Sequence, residues 1–464
     1  MKRADSKTGR YRINVQNLGC KVNRYESDAV LASFLNAGYT EVPDDSEADV
    51  YVVNTCGVTS EAARKSRQFA RRARRINPDA VVVSMGCQVE LEKDALDGAT
   101  DLPDLLIGQV GKSEVLQQVE QLLSSRQQLG TDLAEPQILE RDLDADFSYE
   151  NLGINTRQSE SRAYIKVQDG CSYQCSYCTI PRARGRSRSR PAEQILEEAK
   201  ALAAAGYKEA VITGVEVASW GKERDYQGDM TLIDLLEAID ATSGLERVRL
   251  SSLEPAWVTE ETAARLGRLK TLGQHFHLSL QSGSDTVLRR MRRRYTTAMY
   301  REAVERLRQA MPGAEFTTDV IVGFPGETED EHQASLQFCE ELELMRLHVF
   351  RFSPRPGTDA ATMPGQVQGD VARRRSQEMQ ALSDRLWWSR ADRMVGQPAK
   401  VLVEAVEADG ASGYTEHYWP VRLETATHGE LQVQDIVEVE LALPSRMNQS
   451  LALPTDVRLH ALLL

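Results

Sequence analysis

Short β-branched runs alternate with longer stretches of helical period along the first third of the chain. Arg12–Gln16, Val50–Val53 and Ala80–Ser84 are bounded by polar residues or Gly and read as strands. Tyr25–Asn36 and Glu61–Ile76 have the length and pattern of helices. Strand, helix, strand, helix, strand predicts a parallel sheet with right-handed crossovers. Thr131–Glu150 is rich in Asp and Glu without clean period and reads as a connector. Six βα units are predicted next, with strands at Ala163–Val167, Glu209–Thr213, Arg247–Ser251, His275–Leu280, Phe316–Val322 and His348–Phe352. Helical stretches lie between them, for example Ala192–Ala205, Leu232–Ala241, Thr297–Ala310 and Glu329–Glu341. A closed eight-fold barrel needs about 250 residues, so an incomplete, laterally open (β/α)6 barrel fits better. From about Gly396 short alternating strands return, at Lys400–Val406, Tyr418–Leu423, Glu430–Val433 and Ile436–Leu443, and predict a small β-barrel. The expected fold is α/β: an open parallel α/β domain over 1–130, a linker over 131–156, the incomplete barrel over 157–395 and the small β-barrel over 396–464.

Composition narrows the class. With 41% hydrophobic and 27% charged residues in 464, the chain reads as globular and not disordered. No apolar run approaches the roughly 18 residues needed to span a bilayer, and Met1–Arg10 is polar without the apolar core of a signal peptide. A cytoplasmic protein away from membranes is expected. The net charge is −13, from 56 basic and 69 acidic residues, yet Arg is clustered. Arg64, Lys65, Arg67, Arg71, Arg72, Arg74 and Arg75 form one run; Arg182, Arg184, Arg186, Arg188 and Arg190 alternate in a second. Arg289–Arg290 with Arg292–Arg294, and Arg373–Arg375, complete the set. Guanidinium forks match phosphate, so a polyanionic partner is expected beside the alternative of solvated faces.

Seven cysteines in such a chain are not a disulfide framework. Cys171-Ser-Tyr-Gln-Cys175-Ser-Tyr-Cys178 directly follows the first barrel strand. Structural zinc takes four protein ligands, and no fourth Cys or His lies nearby in the sequence. A redox pair would not need Cys171. The spacing instead suits three irons of a 4Fe–4S cluster, with the fourth left open. Cys20, Cys56 and Cys87 are separated by 36 and 31 positions, one thiol per βα unit, each just after a strand. Parallel strands put their carboxyl ends on one edge, so these thiols are predicted to converge; three buried apolar thiols are the alternative. Cys339 lies within a predicted helix and is expected in the core.

The Cys171–Cys178 segment, with Tyr177 before its last Cys, resembles the radical S-adenosylmethionine (SAM) enzymes. Asn17–Ser27, Asn54–Thr59 and Met85–Cys87 look like the amino-terminal domain of the methylthiotransferases within that superfamily. The likeness runs on through Ile180–Arg190, Ser251–Pro255, His277–Gly283, Met291–Thr296, Thr318–Glu327 and Phe352–Thr358. The tail, with Gly413–Tyr418, is similar to the RNA-binding TRAM domain.

The resemblance implies two 4Fe–4S clusters, one on Cys171, Cys175 and Cys178 and an auxiliary one on Cys20, Cys56 and Cys87; three converging thiolates are a soft, compatible set. It implies two SAM per turnover: one methylates a cluster-borne sulfur, and the other is cleaved to a 5′-deoxyadenosyl radical that abstracts hydrogen from carbon 2 of an adenine. Both clusters would then face one cavity, with the first domain capping the barrel mouth. Tyr177, Gly214, Glu216, Gln281 and Ser282 are the expected cofactor-binding residues, Thr213–Glu216 matching the superfamily's Gly-Gly-Glu type motif. Arg184 or Arg188 is the candidate partner of the SAM carboxylate, or of tRNA phosphate. Arg71, Arg72, Arg74, Arg75 and Tyr414 are expected to bind RNA. The implied partners are a tRNA anticodon stem-loop, an electron donor such as a flavodoxin or ferredoxin, and a sulfur donor. Asn17–Ser27 and His275–Gln281 most resemble the branch acting on N6-threonylcarbamoyladenosine at position 37. The alternatives are the isopentenyladenosine branch, the branch acting on a ribosomal-protein aspartate, and a non-catalytic iron–sulfur RNA-binding protein.

Overall fold

A computed structural model describes residues 11–57, 60–92, 103–129, 137–139, 141, 143, 148–158, 161–224, 226–242, 244–408, 410–424, 431–443 and 458–463. The polar start Met1–Arg10, most of the Thr131–Glu150 stretch and Glu430 lie outside them. The first unit runs β1 (Arg12–Asn17), α1 (Lys21–Asn36), β2 (Thr40–Glu41), β3 (Val50–Thr55), α2 (Ser60–Ile76), β4 (Val81–Gly86), α3 (Cys87–Glu92), β5 (Leu105–Ile107), α4 (Val115–Leu129) and β6 (Gln137–Leu139). Its six strands form one parallel sheet in the order β2-β1-β3-β4-β5-β6. β3 and β4 are buried along their whole length, as parallel strands covered on both faces must be. Gln137–Leu139, inside the stretch read as a connector, pairs with β5 as the edge strand.

The second unit comprises β7 (Ala163–Lys166), β8 (Gln168–Asp169), α5 (Ile180–Arg184), β9 (Arg188–Ser189), α6 (Ala192–Ala204), β10 (Glu209–Thr213), α7 (Leu232–Asp240), β11 (Arg247–Leu250), α8 (Glu260–Leu266), β12 (His275–His277), α9 (Asp285–Arg290), α10 (Thr297–Ala310), β13 (Glu315–Val322), α11 (Glu329–Glu341), β14 (Arg346–Arg351), α12 (Asp359–Thr362) and α13 (Gly369–Met394). Parallel sheets β11-β10-β7 and β12-β13-β14 are joined by the bridges Val248–Leu272 and Leu253–Leu278. Six strands in chain order thus make the open half-barrel. Outward side chains such as Ile165, Ile212, Leu250, Phe276 and Phe316 meet the helices in one core, which also buries Cys339. The opposite, inward positions carry Lys166, Glu209, Arg247, Arg249, His275, His277, Thr317, Asp319 and His348, as the period of two dictates.

The tail forms a closed barrel of β15 (Pro398–Glu407), β16 (Gly410–Thr415), β17 (Pro420–Glu424), β18 (Ile436–Ala442) and β19 (Leu459–Leu463), in the order β15-β16-β17-β19-β18. The tail departs from expectation at several points, β16 and β19 lying outside the strands expected from the sequence. Residues 431–433 form no strand, and β17 starts two residues late because Tyr418 turns with φ +69°. The tail docks on the floor of the half-barrel: Arg247 donates to the Lys400 carbonyl (2.7 Å), and Arg249 to those of Thr415 (2.6 Å) and Glu416 (3.1 Å). Among the described residues no helix is long and apolar enough to cross a membrane.

Candidate active site

β1, β3 and β4 are neighbours in the first sheet, and a cysteine follows the carboxyl end of each. Cys20 is the N-cap of α1, Cys56 lies just beyond β3, and Cys87 opens α3. The three cysteines thus stand along one edge of the sheet. A Cβ on Gly57 would lie 3.2 Å from the Cys87 carbonyl, and the Cys20 and Cys87 thiols act on each other electrostatically. Exposure grades from Cys20, open, through Cys56 to Cys87, 2% exposed. Carboxamides shape this edge. Asn23 Nδ2 donates to Asn54 Oδ1 (2.8 Å) and the Thr55 carbonyl (3.1 Å). Cys20 Sγ donates to Asn23 Oδ1 (3.3 Å), while Gln109 Nε2 donates to Cys87 Sγ (3.0 Å). Gly86, at φ +103°, must be glycine, since a Cβ there would lie 2.5 Å from Asn54 Oδ1.

The second thiol set sits on the loop after β8. Gly170 turns it at φ +69° where a side chain would collide with the Arg186 carbonyl at 2.0 Å. The Tyr173 N–H points at Cys171 Sγ (3.4 Å) and the Ile180 N–H at Cys178 Sγ (3.5 Å). Arg293 Nη1 donates to Cys175 Sγ (3.1 Å) and is held by Glu254 (3.0 Å) and the Tyr295 hydroxyl (3.1 Å). Burial pushes the Cys171 thiol up to about 12 and the Cys178 thiol up to about 11, so ligation there expels protons. Among the described residues no three of His, Cys, Asp and Glu are drawn together around a metal position. Three sulfurs with N–H donors aimed at them fit a larger sulfur-ligated group with one position left for a substrate.

A buried ion network joins the two sets. Glu26 of α1, 0% exposed, accepts from Lys112 Nζ (2.7 Å), Lys166 Nζ (2.7 Å) and Arg184 Nη1 (3.0 Å). Lys166 and Arg184 also grip Asp169, two residues before Cys171 (2.7 and 2.8 Å). Lys112 also bonds Gln109, the partner of Cys87. Arg184 is therefore consumed between domains, 1% exposed, and Arg188 donates to the Arg184 carbonyl (2.8 Å). Arg184 is not free for a SAM carboxylate or a phosphate, which corrects that expectation, whereas Arg188 keeps a buried Nε without a partner; the Glu26 partner of Arg184 is distant in sequence.

Other expected site residues divide. Gly214 leaves room for Gln168, whose Oε1 accepts the Glu216 N–H (2.8 Å). Burial, then Glu254, pushes the Glu216 carboxyl up to about 8, and its Oε1 is buried without a partner. Tyr177 is wedged edge-on against Phe324 at 6.3 Å beneath its loop. Gln281 adopts the left-handed conformation (φ 69°) at the end of the fourth strand region. Ser282 is spent inside the fold: buried, it bonds Ser335 (3.2 Å) and caps the Ser284 N–H (3.2 Å). Tyr414 stacks on Tyr418 (4.7 Å) beneath Arg162 (5.2 Å), inside the junction of tail and barrel and not on an open face. Arg72 pairs with Asp45, and Arg74 reaches Asp104 (2.5 Å); Arg71 and Arg75 remain exposed. Sequence reasoning assigned nothing to Asn23, Asn54, Gln109 or Glu26 and read Arg293 only as part of an Arg cluster, although all but Gln109 lie in or beside its motif segments.

Comparison with known proteins agrees with this arrangement. Residues 165–339 match the Radical SAM superfamily, and 12–108 match the Uncharacterized protein family UPF0004. The threonylcarbamoyladenosine tRNA methylthiotransferase MtaB of Bacillus subtilis is 37% identical, over 88% of this chain and 89% of its own. The chain belongs to the radical SAM methylthiotransferase family. The Thermotoga maritima MtaB is 36% identical over 88% and 90%. A tRNA-2-methylthio-N(6)-dimethylallyladenosine synthase of Akkermansia muciniphila is 31% identical over 89% and 93%. The solved structure of the radical SAM methyltransferase TsrM from Kitasatospora setae shares the fold, with a TM-score of 0.56 over 75% of each chain at 17% identity. This chain is thus a radical SAM methylthiotransferase, with the 4Fe–4S cluster and SAM that the superfamily implies.

Proposed function

We propose that this methylthiotransferase modifies carbon 2 of N6-threonylcarbamoyladenosine at position 37 of tRNA, using two clusters and two SAM. The observation that carries the substrate is the inner wall of the half-barrel, lined with Arg249, His275, His277, Asp319 and His348. An isopentenyl group needs an apolar wall; a threonylcarbamoyl group, with its carboxylate, suits a polar one. The higher identity to the two MtaB relatives points the same way.

Cys171, Cys175 and Cys178 hold one cluster and Cys20, Cys56 and Cys87 the other. When bound, the clusters and SAM supply the C–H activation at carbon 2 and the sulfur and methyl delivered there. The protein's own residues do the positioning. Glu216, its Oε1 unpartnered beside the Cys171 loop, receives an ammonium such as that of the SAM methionyl group. Arg293, fixed by Glu254 and Tyr295, donates a charge-assisted hydrogen bond to the Cys175 sulfur. Tyr177 and Gly214 shape the loop and strand end around the cofactor, and α1 closes the mouth against water through Glu26 and Tyr25. The exposed Arg71 and Arg75 are left for the anticodon stem-loop. A flavodoxin or ferredoxin, and a sulfur donor, complete the cycle.

Nucleosides from tRNA of cells with and without the gene, compared by mass spectrometry, test the substrate. Loss of methylthiolated threonylcarbamoyladenosine is expected. Loss of the isopentenyl counterpart instead overturns the choice.

A further inference from the structure

β14 pairs with β13 on one side and with no described strand on the other, so it is a free edge of the half-barrel. Leu347 and Val349 pack outward into the shared core, and the period of two therefore turns Arg346, His348 and Phe350 to the inner face. The register agrees, since these three stand beside Thr317, Asp319 and Ile321 of β13. The His348 ring lies 5.6 Å from that of His277, which makes the row continuous with the inner wall. Phe350 is the last of the row toward the carboxyl ends of the strands, where the Cys171–Cys178 loop begins.

Phe350 is 49% exposed, more than any other large hydrophobic side chain among the described residues, whereas Phe316 and Phe324 of the neighbouring segment are fully buried. Phe352, on the other side of the chain, is taken by Phe324 at 5.3 Å; Phe350 has no ring partner among the described residues. Arg346 and Arg351, at the two ends of β14, join no ion pair among the described residues, while Arg374 and Arg393 are held by Glu329 and Glu343. A lone exposed phenyl is ordinary on a protein surface. Set between two unpaired guanidiniums on the open lip of an active-site wall, it is a stacking face flanked by phosphate receptors.

Chemistry at a ring carbon requires the base to leave its neighbours in the RNA, which costs stacking; an aromatic side chain returns that stacking whatever the sequence. We propose that the free edge of β14 is the nucleobase-binding lip of the site, where Phe350 stacks on the target purine drawn out of the RNA loop and Arg346 and Arg351 take phosphates on either side of it. The inference rests on RNA being the substrate, but not on which group its N6 carries. SAM brings a second adenine to the same enzyme, so the test separates the two sources.

Two anticodon stem-loops of one sequence, with adenosine or an abasic ribose at position 37, are titrated against the cluster-loaded wild type and Phe350→Ala, Phe350→Tyr, Arg346→Gln and Arg351→Gln. SAM affinity is measured alongside, and iron content checks that each variant is intact. Wild type is expected to bind the adenosine form about tenfold tighter than the abasic one, as a single base–aromatic stack allows. Phe350→Ala should level the two by losing affinity for the adenosine form alone, and Phe350→Tyr should keep the preference. Each Arg→Gln change should weaken both forms alike and lower the slope of log affinity against log salt by about 1. Affinity for SAM should stay within about twofold of wild type throughout, well below the change one stack makes. A preference that survives in intact Phe350→Ala, an equal loss on both stem-loops, or a loss confined to SAM overturns the stacking assignment. An unchanged salt slope in both Arg variants overturns the phosphate contacts. If wild type binds neither stem-loop, the reading of RNA as substrate fails first.

Discussion

Cys56→Ala is expected to go on releasing 5′-deoxyadenosine from SAM under anaerobic reducing conditions while forming no methylthiolated tRNA. Cys175→Ala should lose both activities to background. The asymmetry follows from geometry: the two thiol sets stand on different domains, and Arg293 and Glu216 attend the Cys171–Cys178 loop alone. Removing one thiol from the sheet edge leaves that loop and its N–H donors intact. Chromatographic quantification of deoxyadenosine and nucleoside mass spectrometry read the two outputs separately. Methylthiolated product from Cys56→Ala would remove the auxiliary role from the sheet edge. Deoxyadenosine from Cys175→Ala would remove the other set from the chemistry.

Glu26→Ala should cause a large structural loss. The carboxylate is fully buried between domains and holds Lys112, Lys166 and Arg184. Breaking a buried pair by removing one partner costs about 3–5 kcal/mol, because the cations left behind are neither paired nor hydrated. The loss is expected in the first transition on urea unfolding of the metal-free chain, and a loss below about 1 kcal/mol would contradict it. Acid tests the same interface. Burial alone would raise the Glu26 carboxyl, but Arg184, Lys112 and Lys166 more than offset it and hold it well below its ordinary 4.5. A depressed acid stabilises above its unfolded value, so the contribution should be complete above pH about 4.5 and fade as pH falls further. In Glu26→Gln that acid-dependent part should shrink.

Strand ends were legible in the sequence, and with them the thiols, because one Cys per βα unit after a β-branched run leaves little freedom for where the sulfur lands. The half-barrel was equally legible from period-two runs alternating with helices. The start of α1 was not: Lys21–Arg24 lacks an apolar stripe, and its N-cap Cys20 makes no side-chain cap bond to the helix backbone. β12 stops three residues early because the Thr318 hydroxyl takes over at Leu280, accepting its N–H (3.0 Å). β16 hid in Gly410–Thr415, a run of small residues used because a Cβ at Gly413 would strike the Leu402 carbonyl. The Arg182–Arg190 run misled most. Its alternation looked like a phosphate-binding surface, yet Arg184 meets Glu26 from 158 positions away, and Arg190 meets Glu198 and the Tyr25 hydroxyl. Such pairings are tertiary and leave no local pattern.

Two separate three-thiol sites are the foundation of the proposed chemistry, and metal content tests them most directly. Purified without oxygen and reconstituted, the wild-type chain should carry about eight irons with matching sulfide, and Cys56→Ala and Cys175→Ala about four each. About four irons in the wild type, or zinc in place of iron, would contradict it.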